Sequence, residues 1–224
     1  MLEKLEIYDV LGVLVPGILI VCAIPLSFPP VVQAIADAKL PDGFAFVGLT
    51  AASIFAGNLI QAIASLVEGF LNWSWGGRPS ERALETGLGD RYFPAATAAR
   101  IRAKLAAVAE PNASSRSLFL FAMQRAESMG SARVQRFNAL YAYHRALVVL
   151  SALVFVLFIV SFRGGLASRL TFGQSAWILV LLALLLLLSW HRAKQRGYYY
   201  VREVLLSAEQ QLPSSTASPA HKGG

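Results

Sequence analysis

Four stretches of the chain lose their polar punctuation and become almost continuously apolar. They cover about residues 10–28, 43–71, 145–162 and 170–190, the last holding the leucine run LVLLALLLLLSW. A helix needs roughly 20 such residues to cross a bilayer, so the pattern predicts four transmembrane helices. Pro16 and Pro25 fall inside the first. A proline breaks a soluble helix but is tolerated in lipid when neighbours satisfy the freed carbonyls. The first span is therefore predicted to be a kinked helix packed in a bundle.

Between the second and third spans the pattern changes to a helical period of mixed polarity. Ile101, Leu105 and Val108 recur at helical spacing, and Ser114 or Ser115 is placed to cap SLFLFAMQRAESM, which Gly130 ends. From Ser131 the positions Val134, Phe137, Leu140, Tyr141 and His144 run without a breaker into the third span. One helix of about 30 residues, roughly 45 Å long, is predicted there. The fourth span is predicted to continue through YYYVREVLLSAEQQL with an interruption at Gly197, and PSSTASPAHKGG to be a disordered tail.

The fold class that follows is all-α, a polytopic membrane protein with four transmembrane helices and a helical cytoplasmic domain. Its expected parts are a transmembrane hairpin (1–72), a basic helical domain (73–144), a second hairpin (145–190), a juxtamembrane helix (191–212) and a tail (213–224).

Composition agrees. Of 224 residues, 56% are hydrophobic and 15% charged, with a single cysteine, against about 25% charge in an ordinary soluble domain. That excludes a soluble enzyme, a disordered chain and a disulfide-stapled domain. The first span is expected to be retained. Glu3, Glu6 and Asp9 outweigh Lys4 ahead of it, no small-x-small site follows, and Val21 is bulky before Cys22.

Basic residues set the expected orientation. The first interspan connection holds only Lys39 and the third only Arg163 and Arg169, whereas residues 73–144 hold ten cations against five carboxylates. More follow the fourth span at Arg192, Lys194, Arg196 and Arg202. Both termini and the central domain are thus expected in the cytoplasm. Trp73, Trp75, Trp190 and the run 198–200 fall where an inner aromatic belt belongs. Arg78, Arg82, Arg133, Arg136, Arg192, Lys194 and Arg196 are candidates for contacting anionic headgroups or a protein partner. No nucleic-acid motif is present, and nucleic acid is not an expected partner.

The second span carries unusual polarity. At 100° per residue, Thr50, Asn58, Gln61, Ser65, Glu68 and Asn72 fall within about 80° of one another, with apolar Ile54 interrupting the arc. Gly48, Ala52 and Ala56 lie on the opposite side, where another helix is expected to approach closely. Polar groups in hydrocarbon face a partner or water, so the stripe lines an ion path or glues helices together. The gap at Ile54 favours glue. Either use favours a homo-oligomer, because the other spans contribute few polar groups.

No HExxH, GxSxG, P-loop or CxxC motif occurs, and His144, His191 and His221 are far apart. No catalytic, cofactor or metal site is expected. His144 beside Arg145 reads as an interfacial anchor.

The segments YDVLGVLVPG (8–17), GNLIQAIASLVE (57–68) and FNALYAYHRAL (137–147) together resemble small, mostly uncharacterised bacterial four-span membrane proteins. Some of these are of the kind encoded in anti-phage defence gene clusters. The resemblance implies a non-catalytic inner-membrane component that senses infection or permeabilises the membrane with a cytosolic partner. Two readings stand beside it: an ion channel or small transporter using the polar stripe, and a membrane-bound lipid-modifying enzyme.

Overall fold

The computed structural model describes residues 7–39, 41–109, 112–128 and 130–212. The acidic start of the chain before Ile7 and the expected tail 213–224 lie outside the described residues. All regular structure among the described residues is helical, in nine α-helices and two 3-10 turns. Helix α1 covers Ile7–Ser27, α2 Pro29–Asp37, α3 Asp42–Leu66 and α4 Glu68–Ser74. Next come α5 (Pro79–Glu85), α6 (Ala95–Val108), α7 (Ser115–Ser128), α8 (Ala132–Val160) and α9 (Phe172–Gln210).

Three of these, α3, α8 and α9, are long and apolar enough to cross a membrane. A fourth span results if α1 is counted together with α2, from which it is bent by 101°. The protein is an all-α polytopic membrane protein with additional helical regions. The expected 30-residue helix is α8, with 29 residues. Two expectations are corrected. The second span is not one helix, since α3 ends at Leu66, Val67 makes a turn and α4 begins at Glu68. Gly197 interrupts nothing, because α9 runs through it for 39 residues. A lone internal glycine weakens a helix by only about 1 kcal/mol, which packing readily offsets.

The described residues divide into two compact units. One takes in the chain up to Leu71 with Asn138–Arg196, the other Asn72–Phe137 with the chain from Gly197. The second unit therefore includes the end of α9, which the sequence pattern treats as a separate juxtamembrane piece.

In the first unit, α1 and α3 meet at backbone distance. A Cβ added to Gly17 would stand 1.8 Å from the Ser53 carbonyl oxygen, and one added to Gly57 2.0 Å from that of Val13. Glycine is the residue that lets two backbones touch, and the packing gained substitutes for the hydrophobic effect that lipid cannot supply. The buried positions of α3 are Ser53, Gly57, Ile60 and Ala64. Of these, Ile60 and Ala64 join Ile20, Ala146, Val149 and Leu150 in an apolar core shared by α1, α3 and α8. The predicted close-approach face is thereby corrected. A Cβ added to Gly48 would meet nothing within 4 Å and Ala52 is exposed, while Ala56 packs at the margin of the core. The α8–α9 connection is a packed turn. Ser161 donates to the Phe158 carbonyl and accepts from the Ala167 amide, while a Cβ on Gly165 would lie 2.4 Å from the Ser27 carbonyl. Thr171 and Gln174 then close a reciprocal capping box at the start of α9.

The second unit has its own core, built from α5, α6, α7, the start of α8 and the end of α9. Leu84, Phe93, Ile101, Leu105, Leu118 and Leu205 are almost wholly buried there. Val108, expected on the same face as Ile101 and Leu105, is 42% exposed at the last position of α6. The cap of α7 is Ser114, whose hydroxyl accepts the Ser117 amide. Two members of the supposed aromatic belt, Trp75 and Tyr198, are buried in this unit. Tyr92 meets Tyr198 and Tyr199 edge-on, each at 5.4 Å. Glu209 receives Arg100 and Lys104 from α6. Burial alone would raise its carboxyl, but these hydrogen bonds outweigh that and hold it below the ordinary carboxylate range.

The crossing yields a direct contrast. Gly57→Val should lower stability in detergent by at least about 3 kcal/mol, because a backbone carbonyl has nowhere to go. Gly48→Val should stay within about 0.5 kcal/mol. Thermal unfolding of both variants checks this, and equal effects would place the crossing elsewhere.

Candidate functional site

The polar stripe of the second span does not survive as one surface. The buried face of α3, centred near Ser53, Gly57, Ile60 and Ala64, lies roughly 90° around the helix from the middle of the stripe. The stripe is thus divided between the bundle and the outside. Gln61, closer to the buried face than Asn58 or Ser65, turns inward, and those two, further round, remain exposed.

Gln61 meets a need created on another helix. Pro16 has no N–H, so in an α-helix the carbonyl four residues earlier, that of Gly12, lacks its donor. The Gln61 side-chain amide donates to that oxygen at 3.0 Å. Gly12 and Pro16 are both buried. The neighbour that satisfies the carbonyl freed by Pro16 in the first span is thus Gln61.

The exposed members are satisfied within their own helix. Thr50 donates to the Phe46 carbonyl at 2.9 Å, Asn58 to that of Ile54 at 2.9 Å, and Ser65 to that of Gln61 at 3.1 Å. Back-bonding of this kind is local. Asn58 remains exposed, as are the neighbouring Ile54, Phe55 and Leu59. Residues 42–52 contain no buried position, so no described element buries this part of α3.

Glu68 follows the break at Val67 and opens α4. Its carboxylate is bonded by the Arg145 guanidinium from α8 and, at 3.1 Å, by the Tyr141 hydroxyl. The Arg145 guanidinium also lies 4.8 Å from the centroid of the Tyr141 ring. The Arg145 side chain is 13% exposed and that of Glu68 37%. A carboxylate engaged at both oxygens is a structural counter-ion. Its partners were open to the sequence reading: Tyr141 and Arg145 are one helical turn apart, and Arg145 is the first cation of the third span. Asn72, the last of the stripe, is buried and belongs to the other unit.

The basic candidates divide as well. Arg82 donates to the Trp75 carbonyl at 2.8 Å and the Tyr198 hydroxyl at 3.3 Å, and Arg133 pairs with buried Glu203 at 2.7 Å. Both hold the helical unit together. Arg78 pairs with Glu81 at 3.5 Å, and Arg136 is exposed on α8. Arg192 donates to Gln195, Lys194 sits 5.7 Å from the Trp190 ring centroid, and Arg196 is half-buried on the same helix. His144 bonds the Leu140 carbonyl at 2.7 Å and lies edge-on to Tyr143. Among the described residues no three His, Cys, Asp or Glu side chains group as metal ligands.

Glu68→Ala should destabilise the first unit by about 2 kcal/mol, below the 3–5 of a fully buried pair because Glu68 is partly exposed. Adding Arg145→Leu should recover part of the loss, since no charge is then left unpaired. Thermal unfolding reads both, and purely additive losses would contradict the pairing.

Comparison of the chain with protein-family models, with curated proteins and with solved structures finds no match to it.

Proposed function

We propose that the protein is a non-enzymatic scaffold of the bacterial inner membrane that self-associates through α3. Both termini and the helical unit face the cytoplasm, as the distribution of basic residues favours, and the helical unit receives a protein partner. The observation that carries this is Asn58, an amide exposed on α3 among the exposed apolar side chains of Ile54, Phe55 and Leu59. In hydrocarbon such a group draws a polar partner, and a second copy of α3 offers an identical amide. Helices α8 and α9 each contribute residues to both units, which supports transmission of partner binding to the bundle. The resemblance to proteins from anti-phage defence clusters fits a sensing or permeabilising role.

A channel is the second reading, favoured by the same exposed side chains. Thr50, Asn58 and Ser65 would line a path between copies. Gln61 and Glu68 are poor pore-lining residues in this arrangement, because Gly12 and Arg145 already hold them.

Asn58→Leu separates the readings. In liposomes of purified protein, the scaffold reading expects little ion flux from the wild type and a loss of subunits from the variant. Wild-type flux that falls in Asn58→Leu without dissociation would establish the channel instead. A wild type that is monomeric overturns both.

A further inference from the structure

We infer that the first unit carries a binding site for one acyl chain of an anionic phospholipid. A groove of about 590 Å³ opens on the side of the bundle. Its walls are Ile63 and Phe70 from α3 and α4, Val148 and Val156 from α8, and Leu187 and Trp190 from α9. Every lining side chain is apolar apart from the indole of Trp190, so water and polar solutes gain nothing by entering.

Its dimensions point to a lipid tail. Along α8 the groove runs from Val148 to Val156, which at 1.5 Å per residue is roughly 12 Å. One leaflet of the hydrocarbon core is about 15 Å deep, half of the full thickness. The groove therefore has the depth of a single leaflet and begins at the Trp190 end, where an indole is suited to the headgroup level.

Charge at that end selects the headgroup. Leu186, Trp190 and Lys194 recur every four residues, placing Lys194 one turn beyond the groove on the same helix face. Its ammonium lies 5.7 Å from the Trp190 ring centroid. Arg192 and Arg196, two residues to either side, fall on the far face of α9, so Lys194 is the cation on the groove's own face. The nearby Glu68 carboxylate is neutralised by Arg145. A phosphodiester held by Lys194 with its acyl chain in the groove satisfies both halves of the site. The site belongs to one chain and stands apart from the assembly proposed above.

The test is native mass spectrometry of the full chain in a non-ionic detergent, titrated with phosphatidylglycerol or phosphatidylcholine of identical acyl chains. The expected result is one tightly held phosphatidylglycerol per chain and weaker phosphatidylcholine. Lys194→Gln should weaken phosphatidylglycerol about fivefold, the effect of one cation near a charged surface, and leave phosphatidylcholine unchanged. Ala152→Phe, which fills the groove, should remove both lipids. Should that variant not fold, Lys194→Gln alone decides, since Lys194 is only half-buried and lies outside the apolar cores. Equal binding of the two lipids, or no effect of Lys194→Gln, overturns the site. So does phosphatidylglycerol that persists in a folded Ala152→Phe, because attraction would then be to the surface alone. If Ala152→Phe instead converts a dimer to monomers with no change in lipid, a second copy occupies the groove and the proposal falls.

Discussion

Pro16 removes the N–H that would have bonded the Gly12 carbonyl, and in hydrocarbon that oxygen must find another donor. Gln61 supplies it across the α1–α3 contact. The reach is possible only because the two backbones touch a few residues away, at Gly17 against Ser53 and Gly57 against Val13. Each feature thus needs the others. A bulkier residue at Gly57 would hold the helices apart and withdraw Gln61, and without Gln61 a buried carbonyl would be bare where water cannot reach it. Once α1 and α3 are locked in this register, the buried face of α3 is set. Which polar residues point inward and which remain outside follows from it.

That division changes the meaning of the polar stripe. Six polar residues on one arc suggest a shared purpose, but the arc straddles the boundary between core and surroundings. Gln61 is committed to α1 and Glu68 to α8, Asn72 belongs to the other unit, and Thr50, Asn58 and Ser65 remain on the outside. The outer residues are the ones with interaction capacity left, which is why the proposed assembly rests on Asn58.

Much of the fold was legible in the sequence. The apolar stretches, the long α8 and the need of the proline-bearing span for outside donors all follow from length, period and the chemistry of a missing N–H. Three things were not. The regular four-residue spacing of Gly48, Ala52 and Ala56 points to a close-approach face there, whereas the contact with α1 uses Ser53 and Gly57, and only the partner's shape selects between two small-residue faces. The turn at Val67 carries no proline or glycine to announce it. Tyr198 looks like a headgroup anchor by position, but a second apolar core buries it, and a positional rule takes no account of such a core. The outward direction of Asn58 likewise depends on where α1 docks.

The most direct test of the account is a double-mutant cycle on Pro16 and Gln61, read by unfolding free energy in detergent. In the Pro16 background, Gln61→Leu should cost about 1 kcal/mol, the scale of an interhelical hydrogen bond in a membrane protein. In Pro16→Ala the restored backbone N–H can bond Gly12 itself, and the same Gln61→Leu change should cost close to nothing. An equal cost in both backgrounds would contradict the account, because Gln61 would then be serving something other than the carbonyl that Pro16 leaves open.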